Sequence, residues 1–252
     1  MLIRVFENSD ALSRAASADA AGLLRSAIAA RGLARVVAAT GTSQIAFLDY
    51  LCREPGIAWD KVELFHLDEY LGLGADHPAS FRRFLQDRLV GRVGIGRVHF
   101  LDGAGDPSTV TREAAAAIST MPIDVAFAGI GENAHLAFND PPADFETTSP
   151  FLVVDLDEAC RRQQVGEGWF RSIEEVPAGA ITMSVKQLLA ARTILCLASG
   201  ARKASAVARS FGQSAISPLV PASILRTHPA ATVYLDGDAA AGLTVDDLRR
   251  WS

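Results

Sequence analysis

The stretch IDVAFAGIG, at residues 123–131, is apolar at almost every position instead of at alternate positions. A strand with this pattern is buried on both faces, as strands are in a parallel sheet that helices cover on both sides. Seven further runs are rich in β-forming residues, and several of them are also continuously apolar. They lie at residues 2–6, 34–40, 62–68, 98–102, 152–156, 193–199 and 231–237.

Helical patterns occupy stretches between the expected strands, at residues 10–32, 44–52, 79–90, 108–120, 185–191 and 201–212. In the first of them, Ser9 is a candidate N-cap and Gly32 follows the last helical residue. Because strand and helix alternate along the chain, we expect a single α/β domain over residues 1–252. Its core should be one doubly wound, mostly parallel, Rossmann-like sheet with helices on both faces.

The least regular stretch, at about residues 142–180, combines prolines, charged residues and the pair Trp169 and Phe170. Segments of this kind often close over the ligand site of an α/β enzyme, so we expect a lid here. The alternative is an ordinary excursion of the chain that carries a short strand.

Composition and charge argue against nucleic-acid and membrane partners. The 252 residues carry a net charge of −5 and no extended lysine or arginine cluster. No apolar run reaches the ~18 residues of a membrane-spanning helix, and the first ten residues do not resemble a signal peptide. Cys52, Cys160 and Cys196 are too far apart for a metal or redox motif, which is typical of reduced thiols in a cytoplasmic protein. The sequence leaves the oligomeric state open, with a homo-oligomer among the alternatives.

Polar residues follow several of the expected strands, where open α/β sheets bind their ligands. The residues Thr40, Gly41, Thr42 and Ser43 lie between a strand and a helix, an arrangement that suits a phosphate cradle or a simple capping turn. The acids Asp68 and Glu69 end the next strand and are candidates for a metal ligand, a general base or a helix cap.

His135 lies just beyond the stretch with which we began, with Asn133 and Asp140 close in sequence. Two potential partners could fix the imidazole tautomer, as a general base requires. The alternative is a structural histidine beside an acid that caps a turn. Lys203 lies one turn into a helix that follows another strand, where its ammonium could reach an anion or be solvated.

Three segments carry a family resemblance: LDEYLGLGADHPASF (67–81), GIGENAHLAFNDPP (129–142) and VPAGAITMSVKQLLAA (176–191). Together they resemble the glucosamine-6-phosphate deaminase family, which shares its fold with the 6-phosphogluconolactonases. The similarity extends from about residue 35 to residue 237.

The resemblance implies a role for each candidate residue. Asp68 corresponds to the enolisation base and His135 to the ring-opening histidine, with Asn133 and Asp140 as its flanking partners. The implied phosphate ligands are the loop Thr40, Gly41, Thr42 and Ser43, the lysine Lys203, and one arginine of the lid, Arg161 or Arg162.

The sequence also departs from the family pattern. Ala134 stands where a glycine usually precedes the histidine, Asp140 replaces a glutamate, and Asn133 replaces an aspartate found in some members. The loop TGTSQ (40–44) replaces the common TGGTP.

The resemblance implies an enzyme that converts glucosamine 6-phosphate to fructose 6-phosphate and ammonia, without a metal or an organic cofactor. The alternatives are a 6-phosphogluconolactonase-type hydrolase and a non-catalytic sugar-phosphate sensor. In each case the expected partner is a small phosphorylated sugar.

Overall fold

The computed structural model describes residues 1–212 and 215–251. The strands are β1 Leu2–Phe6, β2 Ala34–Ala38, β3 Val62–His66, β4 Asp68–Tyr70, β5 Arg97–His99, β6 Val125–Gly129, β7 Phe151–Asp155, β8 Gly179–Met183, β9 Thr193–Ala198 and β10 Ala231–Asp236. The helices are α1 Ser9–Arg31, α2 Thr42–Leu51, α3 Phe81–Leu85, α4 Gly91–Val93, α5 Pro107–Ile118, α6 Glu158–Gly166, α7 Val185–Leu189, α8 Ala204–Phe211, α9 Gly237–Ala240 and α10 Val245–Arg250. A π-helical segment, Gln86–Val90, joins α3 to α4, and 3₁₀ turns form at Trp59–Lys61, Ala201–Lys203 and Pro221–Thr227.

Seven strands form one parallel sheet in the order β1-β10-β9-β6-β2-β3-β5. The stretch IDVAFAGIG supplies β6, the fourth of these seven strands. Its alternate residues enter two separate cores: Val125 and Phe127 pack with residues of α1 and α2, whereas Ala126 and Ala128 pack with residues of α5 and α8. The prediction of a doubly wound, mostly parallel sheet is therefore confirmed.

A second sheet of three antiparallel strands, in the order β4-β8-β7, accompanies the main sheet. The sequence did not predict β4 or β8, and the run expected as a strand at 152–156 forms β7 here instead of joining the parallel sheet. β4 has only three residues, two of them acids, so it lacks the apolar pattern by which the other strands are recognised. Its position matters, because β4 carries Asp68 opposite Thr182 of β8.

The segment at 142–180 contains β7, α6 and the start of β8. It therefore has regular structure of its own, and its function as a lid stays a prediction.

The two ends of α1 can be compared with the predicted capping residues, Ser9 and Gly32. The N-cap is Asn8, whose side chain accepts a hydrogen bond from the amide of Ala11. The assignment of Ser9 was wrong by one residue, because both residue types can cap and the asparagine oxygen reaches the first-turn amide. Gly32 caps the other end with φ of 75°, as expected of a left-handed glycine.

Among the described residues, no helix has both the length and the apolar character needed to cross a bilayer. All three cysteines are unpaired thiols.

Candidate active site

A cleft opens at the carboxyl ends of β2, β3, β6 and β9, where a parallel α/β sheet is expected to bind its ligand. The residues that line it are Ala39, Thr40, Gly41, Thr42, Ser43, Gln44, Leu67, Asp68, Phe81, Gly129, Ile130, Gly131, His135, Ala137, Phe138, Gln163, Gln164, Glu167 and Lys203. Seven residues singled out in the sequence thus face one cleft: Thr40, Gly41, Thr42, Ser43, Asp68, His135 and Lys203.

Asp68 is a buried carboxyl group at the wall of the cleft, with 5% of its surface exposed. Burial raises its pKa to about 8, and the adjacent Glu69 carboxylate adds to the rise. Such a group holds its proton far above the usual range of an aspartate and, once ionised, is a stronger base than a solvated one.

Glu69 has a different environment, although it is adjacent in sequence. Its carboxylate accepts hydrogen bonds from the hydroxyl of Ser80 and from the amides of Tyr70, Phe81 and Arg82, at 2.8–3.1 Å. Successive side chains of a strand point in opposite directions, which separates the two acids. Of the alternatives for this pair, Glu69 matches the helix cap, because it holds the start of α3.

The His135 imidazole is fixed by Asp140, with Nδ1 2.9 Å from the carboxylate oxygen Oδ1. An ionised carboxylate can only accept, so Nδ1 carries the proton and Nε2 is left as a proton acceptor. Both side chains are largely buried, at 10% and 8% exposure.

Asp140 is held as a carboxylate by several donors. Burial alone raises its pKa, but hydrogen bonds from His135, from the Asn133 amide and from the backbone amide of Asp157 outweigh this and lower the pKa below its ordinary value. Asp140 is therefore ionised at neutral pH and can stabilise a positive charge on the imidazole.

Asn133 supports this pair indirectly. Its Oδ1 accepts from the backbone amide of His135 at 3.0 Å, and its Nδ2 donates to Asp140 at 2.9 Å and to Asp157 at 3.1 Å. Of the two residues expected to fix the imidazole tautomer, only Asp140 hydrogen-bonds the ring; Asn133 positions the histidine backbone and the carboxylate.

Gly131 makes room for the histidine. A Cβ atom at this position would lie 2.3 Å from His135 Nε2, whereas one at Gly129 would meet nothing closer than 3.7 Å. At Gly131 the neighbour that requires a glycine is the imidazole itself.

Ala134 adopts the left-handed backbone conformation with φ of 74°. The family that the sequence resembles usually has a glycine at this position, and a glycine adopts this conformation without strain. An L-residue in this region is strained by about 1–2 kcal/mol.

The loop after β2 ends in an uncapped helix start. Gly41 has φ of 99°, and at the start of α2 there is neither a capping side chain nor an acid in the first turn among the described residues. The helix N-terminus therefore presents its positive end to the cleft beside the hydroxyls of Thr42 and Ser43.

Lys203 is 6% exposed, so the alternative of a solvated lysine is wrong. Its ammonium lies 3.7 Å from the carboxylate of Glu167, whose side chain is also buried. Burial lowers the pKa of Lys203, while the carboxylates of Glu167 and Glu132 oppose that shift.

Neither arginine expected to face the cleft lines it. The Arg161 guanidinium donates to the carbonyl oxygens of Ile173 and Val176, at 2.6 and 3.1 Å. Arg162 forms an exposed ion pair with Glu158. The geometry of α6 explains this, because its cleft-facing residues are Gln163 and Gln164, which turns both arginines to other sides of the helix.

One cluster among the described residues has the composition of a metal site. Ligand atoms of His135, Asp140 and Cys160 lie within 4.8 Å of one another. Burial raises the pKa of the Cys160 thiol well above its usual range, so it stays protonated and is a poor metal ligand. The His135 nitrogen on this side already donates to Asp140. A metal-free site stays a prediction.

Residues 7–234 match the family described as glucosamine-6-phosphate isomerases/6-phosphogluconolactonase. The chain belongs to this family.

Individual relatives within the glucosamine-6-phosphate isomerase/6-phosphogluconolactonase family are similar over most of their length. The glucosamine-6-phosphate deaminase of Hahella chejuensis is 35% identical over 219 residues, covering 84% of this chain and 82% of that protein. The glucosamine-6-phosphate deaminase of an Exiguobacterium species is 35% identical over 204 residues, covering 81% and 78%.

Two solved structures have the same fold. A monomeric glucosamine-6-phosphate deaminase superimposes with a TM-score of 0.88 at 29% identity, covering 96% of this chain and all of that one. A 6-phosphogluconolactonase from Shewanella baltica gives a TM-score of 0.77 at 22% identity, covering 94% and 98%. At that identity the second comparison shows the fold alone.

The sequence missed Gln163, Gln164 and Glu167, which line the cleft of this family member, and Asp157, which hydrogen-bonds Asn133 and Asp140. All lie in the segment at 142–180, where no helix was predicted. The spacing of Gln163 and Glu167, four residues apart, was the available signal, because such residues share one face of a helix.

Proposed function

We propose that this protein is a glucosamine-6-phosphate deaminase that opens the sugar ring, isomerises the open chain and releases ammonia. The observation that carries the proposal is the presence, on one cleft, of a buried carboxyl group, Asp68, and of a histidine–carboxylate pair, His135 and Asp140. Ring opening and enolisation each need one proton-transferring group, and these two groups have different protonation behaviour.

His135 opens the ring in the proposed first step. Its Nε2 takes the proton from the anomeric hydroxyl and delivers it to the ring oxygen as the C1–O bond breaks, which gives the open-chain aldehyde. Asp140 stabilises the transient imidazolium through the Nδ1–H hydrogen bond. Gly131 leaves the imidazole the space it needs.

Asp68 is the enolisation base in the second step. Its carboxylate removes the C2 proton, the electrons move to the C1 carbonyl oxygen, and that oxygen takes a proton from water to form an enolamine. Return of the proton from Asp68 to C1, with loss of a proton from the nitrogen to water, gives a C2 imine, and water hydrolyses that imine to fructose 6-phosphate and ammonia. Burial raises the pKa of Asp68 to about 8, and the positively charged amino group of a bound substrate would favour the carboxylate form.

The proposed phosphate site lies at the start of α2, with the hydroxyls of Thr42 and Ser43 and the ammonium of Lys203. A helix N-terminus with free amides and a buried cation is suited to an anion. Arg161 and Arg162 do not support this role in the observed arrangement, because both are engaged elsewhere.

The compartment that fits these properties is the cytoplasm. Its support is chemical: Cys52, Cys160 and Cys196 are all free thiols, which is the state expected in a reducing environment.

Incubation with glucosamine 6-phosphate tests the proposal directly. We expect ammonia and fructose 6-phosphate in equal amounts, in the absence of added metal or cofactor. The competing function within the same fold is lactone hydrolysis, which is measured in parallel as acid release from 6-phosphogluconolactone. Rapid lactone hydrolysis without ammonia release would replace the proposed activity with that of a lactonase.

A further inference from the structure

The cleft holds a buried acid that neither proposed chemical step uses. The side chain of Glu167 is only 5% exposed, and its carboxylate lies 3.7 Å from the ammonium of Lys203. Both residues line the same cleft as Thr42 and Ser43. The carboxylate of Glu167 therefore lies next to the Lys203 ammonium, the cation to which an anionic group of the substrate would bind.

The cleft has no excess of positive charge to compensate for this acid. Among the described residues that line it, Lys203 is the one lysine or arginine, and Asp68 and Glu167 are the carboxyl groups. Arg161 donates to backbone carbonyls and Arg162 pairs with Glu158, so neither offsets Glu167.

The carboxylate of Glu167 is held in place by two donors. Gln163 Nε2 donates to it at 2.7 Å, and the indole nitrogen of Trp169 does so at 3.2 Å. The orientation of Gln163 is itself fixed, because its Oε1 accepts from the backbone amide of Glu132 at 2.8 Å. Gln163 thus holds Oε1, the same oxygen that lies 3.7 Å from the Lys203 ammonium, and Trp169 holds Oε2.

A phosphate dianion bound to Lys203 would lie next to this fixed negative charge. Like charges in a partly desolvated site repel strongly, whereas a neutral hydroxyl can donate to the carboxylate and accept from the ammonium. We propose that Glu167 is a specificity-determining residue. It weakens the binding of a dianionic phosphate and thereby reduces the ratio of kcat/KM for a phosphorylated amino sugar to that for the unphosphorylated one. This proposal rests on the proposed function for the identity of the sugar.

Titration calorimetry with inorganic phosphate tests the inference without requiring turnover. Wild type, Glu167→Gln and Glu158→Gln are compared. The control removes the same charge from α6, but at an exposed ion pair with Arg162. We expect Glu167→Gln to bind phosphate more tightly than wild type by about tenfold or more, and Glu158→Gln to bind as wild type does.

Weaker or unchanged phosphate binding by Glu167→Gln would overturn the inference, and so would the absence of measurable binding in both proteins. Glu167 would then serve to hold Lys203 in place. Thermal unfolding of each variant reports folding, and Glu167→Ala replaces the glutamine variant if that one does not fold.

A second readout addresses the sugar. The ratio of kcat/KM for glucosamine 6-phosphate to that for glucosamine should rise in Glu167→Gln, mainly through a lower KM for the phosphorylated sugar. A protein that releases no ammonia from either sugar would contradict the proposed function, while the phosphate titration would still decide the part played by Glu167.

Discussion

At the scale of single residues, Asp68 and Glu69 show how neighbouring acids acquire different roles. Glu69 is surrounded by hydrogen-bond donors from the start of α3. Asp68 faces the cleft, and burial raises its pKa to about 8. Two carboxyl groups at one strand end are ambiguous in a sequence, and the direction of each side chain resolves the ambiguity.

The raised pKa of Asp68 predicts a stability that depends on pH. Because the folded state keeps this proton between about pH 4 and pH 8 while the unfolded state has lost it, the contribution of Asp68 to stability is fully present below the unfolded pKa of about 4. It declines as pH rises and levels off above the folded pKa. Asp68→Asn cannot ionise, so its stability relative to wild type should increase over this range by a few kcal/mol, and by about 5 kcal/mol at most.

Urea unfolding of both proteins from about pH 4 to about pH 9 measures this difference. Comparing the two proteins cancels the titration of groups that they share. A stability difference that stays constant across the range would show that Asp68 is ionised normally in the folded protein.

Gly131 supplies a second prediction at this scale. Gly131→Ala should displace the His135 ring, because the new methyl group would overlap the imidazole, and kcat/KM should fall by at least about tenfold, a change of ~1.4 kcal/mol. Gly129→Ala is the matched control, since its Cβ makes only ordinary contacts. Equal activity of the two variants on glucosamine 6-phosphate would mean that His135 functions without the space that Gly131 leaves for its ring.

At the scale of elements, the short strand β4 places a residue of the antiparallel sheet at the cleft. It pairs with β8 and places Asp68 opposite Thr182, while Glu69 on its other face anchors α3. One three-residue strand therefore positions both a proposed base and a helix.

The substitution Glu69→Ala should destabilise the first turn of α3. It removes the acceptor for Ser80 and for two first-turn amides, and hydrogen bonds to charged groups contribute roughly 1.5–3 kcal/mol each. We expect a lower free energy of unfolding and faster amide hydrogen exchange at Phe81 and Arg82. Unchanged exchange at both amides would show that α3 does not depend on this anchor.

Helix α6 marks the limit of what the sequence could predict about the site. Asp68, His135 and Lys203 were found because each follows a strand whose apolar pattern is evident. Gln163 and Glu167 were missed because Glu158–Gly166 is a short polar helix without an apolar stripe, inside a segment that contains prolines and charges. The directions of the Arg161 and Arg162 side chains depend on helix α6. Because the sequence did not predict this helix, it could not predict those directions.

At the scale of the whole molecule, the parallel sheet was predictable and the small antiparallel sheet was not. Apolar strands such as β6, buried between two cores, carry a strong sequence signal. The strand β8 pairs with β4 on one side and with β7 on the other, and these are tertiary contacts that local propensity does not record.

Asp68 is proposed to be the base in the conversion of glucosamine 6-phosphate to fructose 6-phosphate and ammonia. The most direct measurement is the rate of ammonia release by wild type and by Asp68→Asn, with thermal unfolding to verify that both are folded. We expect turnover by wild type and none measurable by the variant, because an amide cannot accept the C2 proton. A folded Asp68→Asn that keeps more than about a tenth of the wild-type kcat, a loss under ~1.4 kcal/mol, would contradict the claim.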